Sequence, residues 1–189
     1  MIWQAFKFDV GHLEVNCFML GCFQTREAVL IDVGDWSDEI PRFSEERGLT
    51  VKTIFITHDH YDHIQGLPKA VQHFGAAVVA GTSELQGATV DRVVKHGDTL
   101  TVGEHTGRFV DTSGHTPVGL SLILPPLVFT GDALFAGSVG GTSNPDDYNR
   151  QLDNIRKNLF TLPGHYEVHC GHGPSSTIEI ERTHNPFFV

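Results

Sequence analysis

The chain predicts an α/β fold of two packed sheets with helices on their outer sides. Three features carry that expectation. Short apolar segments, alternating with polar residues or continuous, recur along the chain in two rounds. Each round is closed by segments of helical spacing bounded by capping residues. At 189 residues, with 40% hydrophobic and 19% charged residues, the chain has the size and balance of one globular domain with a sizeable core. A single domain over residues 1–189, with any duplication internal to it, is the expectation.

In chain order, Phe6, Phe8 and Val10 alternate with Ala5, Lys7 and Asp9, and a second period-two segment runs from Leu13 to Met19 after the turn at Gly11. The pair reads as a hairpin. Ala28 to Asp32 is continuous and apolar, which suits a more central strand. Ser37 has the character of an N-cap for a helix through Arg47, with Asp38 and Glu39 in its first turn and Gly48 past its end. Val51 to Thr57 reads as a buried strand. Leu67, Val71 and Phe74 then recur at helical spacing between Pro68 and Gly75, and Ala76 to Ala80 returns as a strand.

The second round has β segments at Thr99–Val102, His105–Asp111, Leu120–Leu124 and Leu127–Thr130, separated by Gly103, the GHTP turn and Pro125-Pro126. A helix from Asp146 to Phe160 follows, capped by Asn144, opened by Pro145 and striped with Leu152, Ile155 and Leu159. Tyr166–Cys170 reads as a last strand. Ser176 with Glu179 has the spacing of a capping box for a final helix.

Between the buried strand and the helix beginning at Leu67 stands THDHYDHIQG, Thr57 to Gly66. It places His58, His60, Asp62 and His63 within six residues. Where a chain leaves a strand and turns, side chains two apart, His58 and His60, can converge on one point while Asp62 and His63 reach a second. Two ligand pairs imply two adjacent metals. Imidazole nitrogen and carboxylate oxygen suit zinc, and iron or manganese accept the same ligand types. A zinc finger needs closely spaced thiolates, and Cys17, Cys22 and Cys170 are scattered. His12, His73, His96, His105, His165, His169 and His184 lack comparable spacing and read as surface or packing residues.

The net charge of −10 opposes attraction to nucleic acid and to anionic membranes, so neither is expected as a partner. No apolar run reaches spanning length, and MIWQAFKFD lacks the pattern of a signal peptide. Three scattered cysteines suggest a reducing compartment, with Cys17 and Cys170 as buried packing. A cytoplasmic location is expected.

The motif H-x-H-x-D-H closely resembles the signature of the metallo-β-lactamase superfamily. Further residues match its pattern in order: Asp32 in LIDVGD, His115 in TSGHTP, Asp132 in FTGDALF and His172 in CGHGP. The resemblance implies a four-layer αβ/βα sandwich. It assigns His58, His60 and His115 to a first metal and Asp62, His63 and His172 to a second, with Asp132 bridging both and Asp32 orienting a ligand through a hydrogen bond. Each of these segments then follows the carboxyl end of a strand, where loops at one sheet edge can converge.

Within the superfamily, some β-lactamases carry a cysteine where Asp132 stands, and the diiron oxygen reductases carry a glutamate where His60 stands. Neither fits. GDALFAGSVGGT (Gly131–Thr142), GHGP (Gly171–Pro174) and E-R-x-x-N-P-F (Glu181–Phe187) are instead similar to the glyoxalase II branch in its short form, without the helical C-terminal glutathione-binding domain. That resemblance implies two Zn2+ ions and a metal-bound hydroxide, with Asp62 and Asp132 as catalytic residues. The substrate would be hydroxyacylglutathione or a similar small thioester. Two alternatives stand beside it: a mononuclear iron persulfide dioxygenase using only the positions of His58, His115 and Asp132, and a non-catalytic member of the fold.

Overall fold

Alternation over Ala5–Val10, followed by an apolar segment buried along its whole length, produces the expected hairpin. In the computed structural model, which describes residues 3–189, β1 (Trp3–Val10) pairs antiparallel with β2 (Val15–Cys22), and β2 with β3 (Glu27–Ile31). By internal contacts the chain forms two compact units. One runs to Val94 and includes Leu100–Thr106; the other comprises Lys95–Thr99 and Gly107–Val189.

In the first unit, α1 (Glu39–Arg47) leads to β4 (Thr50–Ile56), then α2 (Tyr61–Ile64), α3 (Leu67–Phe74) and β5 (Ala77–Ala80). A small hairpin of β6 (Glu84–Leu85) and β7 (Ala88–Thr89) precedes β8 (Arg92–Val93). The sheet order is β1-β2-β3-β4-β5-β8, antiparallel to β3 and parallel beyond it. Val15, Cys17 and Met19 share a cluster with Leu30, Ile54, Ile56, Ile40 and Leu67, so α1 and α3 cover this sheet. Fully buried side chains such as Ile54 each contribute roughly 1.5–3 kcal/mol.

Two details depart from the sequence reading. The cap of α1 is Asp38 and not Ser37, although the Ser37 hydroxyl still accepts the Glu39 N–H at 3.3 Å. The metal motif also coils into a helical turn, α2, closed by the His63 N–H on the His60 carbonyl at 3.0 Å. Four residues without apolar periodicity give no local sign of a helix.

The second sheet has the order β16-β15-β12-β11-β10-β9. Its members are β9 (Thr99–Val102), β10 (His105–Asp111), β11 (Leu120–Leu124), β12 (Leu127–Gly131), β15 (Glu167–Cys170) and β16 (Ser176–Thr177). The β12–β15 pair is parallel, with antiparallel neighbours around it. An unforeseen hairpin of β13 (Leu134–Phe135) and β14 (Ser138–Val139) precedes α4 (Pro145–Asn158). Leu152, Ile155 and Leu159 pack on Val110, Ile123, Val128 and Val168, as the helical stripe predicts. The last helix, α5 (Ile178–His184), is capped by Thr177 and not Ser176, because the Ser176 hydroxyl turns to the buried Glu181. Among the described residues no helix is long and apolar enough to cross a membrane.

Candidate metal centre

In the first unit, parallel pairing of β3 with β4 brings Ile31 beside Phe55, so Asp32 and Thr57 leave the sheet side by side. Asp32 is buried with φ +53°, a left-handed conformation that Asp tolerates better than most residues. Its Oδ1 accepts the Thr57 N–H at 2.8 Å, and its Oδ2 accepts the Thr57 hydroxyl at 2.8 Å and lies 3.0 Å from His63 Nδ1. The His58 ring lies 4.8 Å from the His60 ring and 4.2 Å from the His63 ring, centroid to centroid. One oxygen or nitrogen from each of Asp32, His58 and His63 falls within 4.8 Å of the others. Asp62 Oδ2 stands 3.9 Å from His63 Nε2. A side chain at Gly34 would drive its Cβ to 2.3 Å from the Asp62 carbonyl oxygen, so only glycine lets this backbone lie against the motif.

In the second unit, Asp132 leaves the end of β12, His172 follows β15, and His115 lies in the turn between β10 and β11. His115 Nε2 and His172 Nε2 are each 3.6 Å from the same atom, Asp132 Oδ2. That is too long for a hydrogen bond. Two donors about 2.1 Å from one zinc at a tetrahedral angle stand roughly 3.4 Å apart, so the spacing suits ligands of a shared cation.

Hydrogen bonding also prepares the imidazoles. The Thr57 hydroxyl gives its proton to Asp32, so towards His58 Nδ1, 3.0 Å away, it can only accept. His63 Nδ1 faces a carboxylate, and His115 Nδ1 lies 2.6 Å from the Gly141 carbonyl. All three rings therefore carry their proton on Nδ1 and present Nε2 as the bare donor a divalent metal needs. The residues present fit the metal.

The sequence pattern described as the metallo-beta-lactamase superfamily matches residues 10–172. The chain belongs to the metallo-β-lactamase superfamily. A probable metallo-hydrolase, YqgX of Bacillus subtilis (strain 168), is 28% identical over 99% of this chain and 97% of its own. A hydroxyacylglutathione hydrolase of Idiomarina loihiensis is 30% identical over 77% of this chain. This chain covers only 56% of that relative, and 50% of a Brucella ovis protein of the same name. Among solved structures, the B3 metallo-beta-lactamase BLEG-1 is 28% identical with a TM-score of 0.86, covering 98% of this chain and all (100%) of that one. ETHE1 from Myxococcus xanthus is 31% identical with a TM-score of 0.84, covering 98% and 84%. TTHA1623, solved in a di-iron-bound form, is 26% identical with a TM-score of 0.81, covering 96% and 99%. The architecture of this metallo-β-lactamase superfamily member is accordingly the superfamily's α/β fold, with two mixed sheets and helices.

Other parts of this superfamily member carry supports that local pattern gave no role. Glu181 is fully buried, and its carboxylate accepts the Gly137 N–H and the Asn185 side-chain N–H, each at 2.8 Å, and the Ser176 hydroxyl. Asn185 Nδ2 also reaches the Ser138 carbonyl at 3.0 Å. The E-R-x-x-N-P-F segment thus clamps the β13–β14 hairpin, which connects Asp132 to the Gly141 carbonyl that receives His115. A side chain at Gly140 would bring its Cβ to 2.1 Å from the Asp132 carbonyl and 2.8 Å from His115 Nδ1. Cys170 is buried as expected, and its Sγ donates to the His172 carbonyl at 2.9 Å, with burial raising the thiol above its ordinary range. Cys17 is raised by burial and by the charge of Asp32 beyond it, which suits packing and not chemistry.

Proposed function

We propose that the chain is a dinuclear metal-dependent thioester hydrolase of glyoxalase II type, acting on hydroxyacylglutathione or a similar small thioester. His58, His60 and His115 would hold a first metal and Asp62, His63 and His172 a second, with Asp132 shared by both. The observation that carries this reading is Asp132 Oδ2 standing 3.6 Å from both His115 and His172, one histidine from each set. Bound zinc, or iron or manganese, supplies a Lewis acid and lowers the pKa of a water towards about 7.

The chain's own groups do the rest. Asp32 and Thr57 keep His58 and His63 in one tautomer, and the Gly141 carbonyl does so for His115. Asp62, whose side chain is 25% exposed, can accept a proton of a water at the solvent-facing side of its cluster. A thiol of pKa about 8.5 departs as thiolate, so the chain needs no general acid for the leaving group. The relatives named hydroxyacylglutathione hydrolase support this substrate class. A cytoplasmic location belongs to the same reading.

Likeness to ETHE1 supports a second reading, a mononuclear iron persulfide dioxygenase using His58, His115 and Asp132. Retention of Asp62, His63 and His172 favours two metals. Elemental analysis of protein purified without added metal, paired with S-lactoylglutathione hydrolysis followed by thiol release, tests the choice. Two metals per chain with turnover are expected. One iron with oxygen uptake on a persulfide, or turnover of a β-lactam and no thioester, would sink the thioesterase reading.

A further inference from the structure

The face of α4 that meets the metal-side loops of its unit carries a row of amides. Gln151, Asn154 and Asn158 are spaced three and then four apart, which places them on one side of the helix. Asn158 Nδ2 donates to the Asp111 carbonyl at 2.7 Å, and Asn154 Nδ2 to the Ser113 carbonyl at 3.2 Å. Gln151 is fully buried, and its Nε2 donates to the Ala133 carbonyl at 2.9 Å and the Gly140 carbonyl at 3.2 Å. The backbone of Gly114 lies on the same side chain, since a Cβ there would come within 2.3 Å of Gln151 Cβ.

We infer that Gln151 is a positioning residue that sets the affinity and geometry of metal binding through the loops holding His115 and Asp132. It rests on the proposed ligand roles of those two residues. Ala133 follows Asp132, Gly114 precedes His115, and Gly140 precedes Gly141, whose carbonyl receives His115 Nδ1. One rigid side chain therefore touches three segments, each within one residue of a ligand or of a ligand's hydrogen-bond partner. An amide suits the position because a single NH2 supplies two donors to two carbonyls, which a carboxylate or a thioether cannot do. Asn158 uses the same chemistry farther from the ligands, on the Asp111 carbonyl four residues before His115, and serves as the internal control.

The test compares wild type with Gln151→Met, which keeps volume and loses both donors, and Gln151→Glu, which turns an oxygen towards both carbonyls; Asn158→Ala is the control. Metal-free proteins are titrated with zinc against a chromophoric chelator, and visible spectra are recorded after loading with cobalt. The Gln151 variants should bind zinc about 10- to 100-fold more weakly and show an altered cobalt spectrum. Asn158→Ala should bind with wild-type affinity even where its melting temperature falls. If Gln151→Glu does not fold, Gln151→Met carries the comparison. Zinc affinity of Gln151→Met within about threefold of wild type, with an unchanged cobalt spectrum, would overturn the inference. Wild-type protein that takes up neither metal would overturn the ligand assignment and this inference with it. Wild type that binds two ions without thioester turnover would overturn only the proposed activity.

Discussion

In the first unit the proposed donors His58, His60, Asp62 and His63 come from six consecutive residues, whereas in the second the proposed donors His115, Asp132 and His172 come from three loops far apart in sequence. The supports differ accordingly. A single buried acid, Asp32, reaches His63 directly and His58 through Thr57, so one side chain aligns much of the local cluster. The distributed cluster is held by several weaker devices: the Gln151 amide, the Glu181–Asn185 clamp, the Cys170 thiol and the Gly141 carbonyl. A compact motif concentrates risk in one support, while dispersed ligands spread it over many. Substituting a support should therefore act on several donors at once on the compact side and in a graded way on the dispersed side.

The largest expected effect is at Asp132, the dispersed residue for which no support can substitute. Asp132→Ala should lower metal content and reduce turnover by more than about 100-fold, beyond what loss of an outer partner costs. Two tightly held metals with near-normal turnover would show that its position between His115 and His172 has no chemical consequence. Next comes the acid that holds the compact cluster. Asp32→Asn keeps the shape and tolerates the left-handed backbone, but sets an NH2 group against a donor. Zinc affinity should fall about 10- to 100-fold, and unfolding should become easier by about 1–3 kcal/mol. Affinity within a few-fold of wild type by chelator competition would remove the claim that one support governs that cluster.

A graded response is the expectation for the dispersed side. Glu181→Met roughly keeps the volume but removes the acceptor of the Gly137 N–H and the Asn185 amide inside the hairpin clamp, and should lower stability by about 1–3 kcal/mol in a denaturant titration. Zinc affinity should change less than for Asp32→Asn, and a larger loss would reverse the contrast between the units. A smaller, pH-dependent effect falls on His169, whose ring stacks on Phe129 at 5.2 Å and is held below its ordinary range by burial, against the pull of Glu167. With the folded value depressed, the neutral ring's contribution is intact above about pH 6.5 and is lost as pH falls through the folded value. His169→Phe should flatten the loss of melting temperature between pH 7 and pH 5; an unchanged slope would remove that contribution. At the bottom of the scale, exposed His184 should be silent, with His184→Ala within about 0.5 kcal/mol of wild type and zinc affinity unaltered.

The sequence by itself determined the longer strands and the major helices, because periods of 2 and 3.6 residues report which side of a segment is buried. It also made the compact half of the proposed donor set legible, since H-x-H-x-D-H behind a buried strand needs no distant information. His115, Asp132 and His172 were legible only through family resemblance, as a lone histidine or aspartate in a glycine-rich turn has no periodicity of its own. Tertiary structure alone decided that Asp132 stands equally far from two histidines, and that the Nδ1 atoms of His58, His63 and His115 are engaged. It alone decided that Ser176 turns to Glu181 and leaves the cap of α5 to Thr177. Several of those outcomes depend on residues tens of positions apart, as His63 does on Asp32 and His115 on the Gly141 carbonyl. A polar side chain such as Gln151 or Glu181 looks like any surface residue until the fold buries it against the partners that satisfy it.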